Sequence, residues 1–321
     1  MYLSKNNLVI GENRCLGYYE CCKDSAIVAR DKSSISYPNL LLLHAQGTYS
    51  SSFNSVLFAL AKHFHVYMVD YYGHGMSSHN KDLYNLVSIG EDLIYFIDSV
   101  IKSDIIVLGH SSGGLIGAYI AANCDKCVKL ILEDAPFFSC VGERRFNTYN
   151  YVDLSSVCHN FLNQSEIDDF VYYYFREQYC WNFFPEKNRD IIKEKSCASA
   201  LKYREKYPDK ALKVRFWPKK FLLGFNGMQY YDPLFGESFY NDSFHNGVDY
   251  RSLLSSIKCP TLFMKAESKV ENGLLLGALS DSDLKVVVSL LSNSRVEYFP
   301  CGHGIHIDMP KLFIDTVKSF K

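Results

Sequence analysis

The chain has 321 residues, 48% hydrophobic and 15% aromatic, with Lys+Arg 34 against Asp+Glu 35 for a formal net charge of -1. That length suits one large α/β unit carrying an insertion, and the balanced charge excludes a global field that would hold nucleic acid or an acidic membrane. No uninterrupted run of about 18 apolar residues occurs, so no bilayer span is expected, and the odd count of Cys 11 suits reduced thiols better than a disulfide framework.

The N-terminus, Met1 to Asn7, lacks a basic segment followed by an apolar stretch, and a cytoplasmic protein is expected. Residues 13 to 22 and 25 to 30 read as two early strands joined as a hairpin. In Asn39-Leu40-Leu41-Leu42-Leu43-His44 the four central residues are an unbroken apolar run, the mark of a strand buried on both faces of a parallel sheet. Helical spacing follows at Phe53, Val56, Leu57, Leu60 and Ala61, then a strand from His65 to Asp70. Next come a helix over 85 to 102, a strand over 104 to 110, a helix over 112 to 123 and a strand at Val128 to Leu132. Such alternation predicts a doubly wound, mostly parallel sheet with ligands at the carboxyl ends of its strands.

From about Ala135 to Val248 the alternation stops. Tyr172-Tyr173-Tyr174-Phe175, Trp181 to Pro185 and Phe221 to Phe225 are aromatic-rich pieces between charged, helix-favouring stretches. A mainly helical cap over 135–248 is expected, inserted into a core made of 1–134 and 249–321. The core resumes with a strand at Pro260 to Met264, a helix near 280 to 292, a strand at Arg295 to Phe299 and a last helix after Pro310.

The chemistry centres on Gly109-His110-Ser111-Ser112-Gly113, where an apolar strand runs into Gly-x-Ser-x-Gly and then into a helix. A sharp turn there exposes the Ser111 hydroxyl beside the helix N-terminus, whose free N–H groups favour developing negative charge. A serine nucleophile needs a base, the base needs an orienting carboxylate, and the oxyanion needs preorganised donors. His303, in Cys301-Gly302-His303-Gly304 directly after the last strand, is the expected base; His306 reads as a packing or supporting residue. The expected oxyanion donors are the N–H groups of Ser112 and of Gln46, in the loop His44-Ala45-Gln46-Gly47.

Four segments in this order resemble the α/β-hydrolase superfamily. His44 to Gly47 is similar to its His-Gly-x-x loop, with Ala45 where glycine is usual, and Asp70-Tyr71-Tyr72-Gly73-His74-Gly75-Met76-Ser77 is similar to its Asp-x-x-Gly-x-Gly-x-Ser loop. Gly109 to Gly113 resembles the nucleophile elbow, and Gly302-His303 with Asp308-Met309-Pro310 resembles the histidine loop. The triad acid departs from the common pattern: the turn after the strand beginning at Thr261 reads Ala266-Glu267-Ser268-Lys269, with lysine where the family carries aspartate. Some members, the lactone hydrolases that open zearalenone among them, carry the acid after the strand that follows the nucleophile helix, and Glu133-Asp134-Ala135-Pro136 lies there. Asp134 is therefore the leading acid, with Glu267 next and Glu133 and Glu271 remaining open.

The resemblance implies a serine hydrolase acting on a small to medium apolar ester, lactone or thioester. A ligand-binding hydrolase-receptor with slow turnover, a C–C bond hydrolase and an acyltransferase are the alternatives. No cofactor and no metal are expected: Cys124-x-x-Cys127 has no second pair, and no phosphate-cradling glycine loop occurs. The expected partner is an apolar small molecule, not nucleic acid, and a homodimer is compatible with the reading.

Overall fold

A computed structural model of the chain describes residues 1–23 and 37–321. Strands β1 (Tyr2–Gly11) and β2 (Arg14–Cys22) form an antiparallel hairpin, with Leu8 opposite Leu16 and Tyr2 opposite Cys22. The expected early hairpin is corrected in its partner: residues 13 to 22 pair backwards with 2 to 11, and the expected strand at 25 to 30 lies outside the described residues. β1 escaped sequence reading because it is an edge strand with one open face. Leu3 and Val9 sit on that open face, so apolar residues do not alternate with polar ones as a half-buried strand requires.

Six parallel strands make the body of the sheet: β3 (Asn39–Leu43), β4 (His65–Asp70), β5 (Ile105–His110), β6 (Cys127–Glu133), β7 (Thr261–Ala266) and, after the small hairpin β8 (Lys269–Glu271) and β9 (Leu274–Leu276), β10 (Ser294–Phe299). The eight-stranded order is β1-β2-β4-β3-β5-β6-β7-β10. β4, β5 and β7 are buried at every residue, as helices on both faces require. Period-two alternation then feeds two cores. Leu41, Leu43, Val69 and Val107 pack on one face, and Leu40, Leu42, Met68 and Leu108 pack on the other.

Between Glu133 and Thr261 the chain leaves the sheet and runs mainly through helices, including Ser156–Leu162, Phe170–Glu177, Glu186–Lys206 and Pro233–Tyr240. The architecture is thus the doubly wound, mostly parallel sheet with a helical insertion that the sequence predicts. The insertion hangs over the carboxyl ends of the parallel strands, where the loops after β3, β5, β6 and β10 converge. Among the described residues no helix is long and apolar enough to cross a membrane.

Candidate active site

The turn from β5 into the helix Ser112–Asn123 forces Ser111 to φ 54 and ψ -121, a conformation rare for a non-glycine residue and typical of stored strain at functional sites. Two glycines permit the crossing. A Cβ on Gly109 would stand 2.1 Å from the Gly113 carbonyl oxygen, and one on Gly113 would stand 2.4 Å from the Leu43 carbonyl oxygen. The helix can therefore press against β3 and β5 and leave Ser111 at the apex. A hydrogen bond of 2.9 Å from the Ser111 N–H to the Glu133 carbonyl oxygen ties this apex to the end of β6.

Asp134 follows directly, itself at φ 44 and fully buried. Its Oδ2 accepts a 2.7 Å hydrogen bond from His303 Nδ1. Its Oδ1 accepts the Ala266 N–H at 3.3 Å and lies 3.8 Å from Nζ of Lys265, a buried lysine. The other acids considered from sequence lie elsewhere. Glu267 is exposed, Glu271 pairs with Lys269 at 2.7 Å, and Glu133 turns to His306. Ser111 and His303 line one cavity of about 290 Å³ together with Gln46, Ser112, Leu154 and Met228.

Beneath these three residues lies a second set that sequence reasoning did not assemble. His110, Glu133 and His306 are buried, and each is a near chain neighbour of Ser111, Asp134 or His303. Glu133 Oε1 accepts the His306 N–H at 2.9 Å and Nδ1–H at 2.8 Å, while His110 Nε2–H donates to the His303 carbonyl oxygen at 3.0 Å. Burial alone would raise the Glu133 carboxyl, but the His306 and His110 rings and the bonds from His306 outweigh it and hold the group at about 2. Burial lowers His110 to about 3, so this imidazole is neutral at physiological pH. The donor atoms of the set lie within 4.8 Å of one another, yet both Glu133 oxygens are already engaged by His306. The one available signal was the spacing itself: His110 and Glu133 sit one residue before Ser111 and Asp134.

The oxyanion side departs from expectation in one respect. The Gln46 N–H is donated to Ser112 Oγ at 2.8 Å, and the same hydroxyl lies 3.0 Å from Tyr71 Oη. Ser112 contributes the first amide of its helix, where N–H groups have no intrahelical partner, and its side chain occupies the Gln46 amide at rest. The loop is anchored by neutral histidines. Gly47 N–H donates to His74 Nε2 at 3.2 Å, His74 Nδ1–H donates to the Tyr72 carbonyl at 3.0 Å, and burial lowers His44, stacked on Tyr71 at 4.0 Å, to about 3. Asp70 accepts the Ser50 and Met76 N–H groups at 2.7 and 3.0 Å, which fixes the loop after β4.

One wall of the cavity carries an acidic side chain that the sequence reading did not place there. Asp153, buried and lining the cavity, accepts Tyr174 Oη–H at 2.6 Å and the Tyr179 N–H at 2.7 Å. Burial raises its carboxyl above the ordinary range.

Comparison with known proteins agrees with this architecture. The sequence model of the alpha/beta hydrolase fold matches residues 38–310. A human "Serine hydrolase-like protein" is 30% identical over 128 residues, 39% of this chain and 63% of that protein; the match thus spans less than two thirds of that relative. Among solved structures, a hydrolase from Pseudomonas aeruginosa PA01 superposes with TM-score 0.67 at 19% identity, covering 99% of this chain and 98% of that one. The enol-lactonase from Burkholderia xenovorans LB400 superposes with TM-score 0.66 at 17% identity, covering 98% and 99%. At those identities the likeness is one of fold.

Proposed function

Because the chain belongs to the alpha/beta hydrolase family, we propose that it is a serine hydrolase that cleaves small to medium, uncharged esters, lactones or thioesters through an acyl-enzyme on Ser111. The observation that carries this reading is the 2.7 Å contact of His303 Nδ1 with buried Asp134, at the mouth of a cavity that Ser111 also lines. Ser111 Oγ attacks the carbonyl carbon and His303 Nε2 takes its proton. The tetrahedral intermediate collapses, and His303 returns that proton to the leaving oxygen or sulfur. Water then repeats the sequence on the acyl-enzyme and releases the acid. Asp134 holds the imidazole in the tautomer that leaves Nε2 free to accept. The N–H groups of Ser112 and Gln46 receive the oxyanion, which requires the Gln46 amide to turn from Ser112 Oγ as negative charge develops.

Size and charge argue for the substrate class. A cavity of about 290 Å³ admits a compact acyl group, and among the described residues no lysine or arginine lines it to receive a second carboxylate on the substrate. Proteins of similar fold or sequence include one named as an enol-lactonase, one as a thioesterase domain and one as a methyl ester esterase. The engagement of the Gln46 amide at rest favours one second reading, a ligand-binding hydrolase with slow turnover.

Labelling by a fluorophosphonate probe tests the proposal whatever the substrate. Wild type is expected to label, Ser111→Ala to lose labelling, Asp134→Asn to slow by about 10⁴-fold, and Glu267→Gln to label as wild type. Folded wild type that never labels overturns the hydrolase reading. Prompt labelling with turnover of short esters slower than about one per minute selects the slow-turnover reading.

A further inference from the structure

The near-zero net charge hides a strong segregation. Between residues 187 and 220 the sequence holds twelve Lys and Arg against four Asp and Glu, so this stretch is cationic and the acidic excess lies in the rest of the chain. The stretch comprises most of the helix Glu186–Lys206 and the segment that follows it. Large apolar side chains stand in water along the same part of the insertion: Phe216 is 88% exposed, Phe221 68%, Phe183 55% and Ile191 54%. Phe183, Phe216, Trp217 and Phe221 line an open groove of about 720 Å³ with Lys195 and Arg215 beside them. The Arg215 guanidinium lies 4.8 Å over the Phe216 ring. Beyond the buried Leu222, Leu223 is again exposed, and the next residue, Gly224, lines the cavity of Ser111.

Contiguous exposed apolar surface is unusual on a chain with nothing to cover it. Aromatic rings interspersed with lysine and arginine suit the boundary of a bilayer, where rings enter the acyl region and the long basic side chains reach back to anionic headgroups. A second copy of this chain does not fit, because two such faces would oppose cation with cation. Nucleic acid would satisfy the charge and could stack on the rings, but it leaves Ile191 and the apolar groove uncovered. We propose that this face of the helical insertion seats on an anionic lipid surface, with Phe183, Phe216 and Phe221 inserted and the flanking basic side chains on the headgroups. The inference does not depend on the role given to Ser111.

The test is co-sedimentation of the full chain with phosphatidylcholine vesicles and with vesicles holding about 30% phosphatidylserine. Binding to the anionic vesicles is expected to exceed binding to neutral ones by about tenfold or more and to weaken at high salt. The double variant Phe216→Ser/Phe221→Ser is expected to lose about tenfold in binding with an unchanged melting temperature, since both rings are exposed. Equal binding to the two vesicles, no binding, or undiminished binding by the double variant overturns the proposal. So does a dimer that the double variant dissolves, or capture of duplex DNA in preference to anionic vesicles at equal phosphate.

Discussion

Glu133 does not line the cavity, yet it holds His306, three residues from His303. Fully buried and held at about 2 by His306 and His110, it fastens the backbone and ring of His306 and, through them, the short loop that carries His303. Replacing it removes one charge from a buried pair and leaves its partners short of acceptors, which costs more than the pair itself contributes. Glu133→Gln is expected to lose about 3 kcal/mol in urea unfolding. Its kcat is expected to fall while KM stays near the wild-type value, because the loosened part is the His303 loop and not the cavity wall. An unchanged kcat in a variant that has lost stability would assign Glu133 to folding alone. Asp134, one residue on, is separated from it by direction rather than distance: consecutive residues at the end of a strand face opposite ways, and Glu133 meets His306 where Asp134 meets His303.

At the scale of elements, the strand β5, its turn and the helix Ser112–Asn123 act as a single piece held by close backbone approach. Every part of that piece was legible, since an apolar run, Gly-x-Ser-x-Gly and a small-residue helix are all local signals. Gly113 is the joint between this helix and β3, because a methyl group there meets the Leu43 carbonyl at 2.4 Å, a backbone atom that cannot rotate away. Gly113→Ala is expected to lower the melting temperature by roughly 5 °C or more and to abolish fluorophosphonate labelling, since the helix must lift from β3 and carry Ser111 with it. Wild-type labelling by a stable Gly113→Ala protein would count against that coupling. β1 and the small hairpin of β8 and β9 were not legible. The edge strand lacks amphipathic alternation, and the two hairpin strands have three residues each, too short for any periodicity to register.

For the whole molecule, the buried histidines set the response to acid. His44 and His110 are lowered by burial to about 3, and His74 is pushed well below its ordinary value. In the unfolded chain all three titrate near 6.5, so between that pH and about 3 the unfolded state binds more protons and stability falls as pH falls. Glu133 adds to this lower down. Its folded value near 2 lies below its ordinary 4.5, so its contribution is present above 4.5 and is lost from there down to 2. The melting temperature is therefore expected to decline continuously from pH 7 to pH 4, as differential scanning calorimetry would show; a plateau over that range would mean that these rings are hydrated. Charge is organised at the same scale: a net of -1 says nothing of the cationic stretch on the helical insertion beside an acidic remainder.

The order and type of the sheet's main elements, the elbow at Ser111 and the histidine loop at 303 followed from the sequence by itself, because each is written in a short stretch as a period, a glycine spacing or a strand-ending turn. Which carboxylate stands at His303, the pairing of Glu133 with His306, the hold of Ser112 on Gln46 and the place of the Asp153 side chain in the cavity wall were decided only in the tertiary structure. The first three join residues from 66 to 173 positions apart, and strand register and face direction bring them together; no local pattern encodes either.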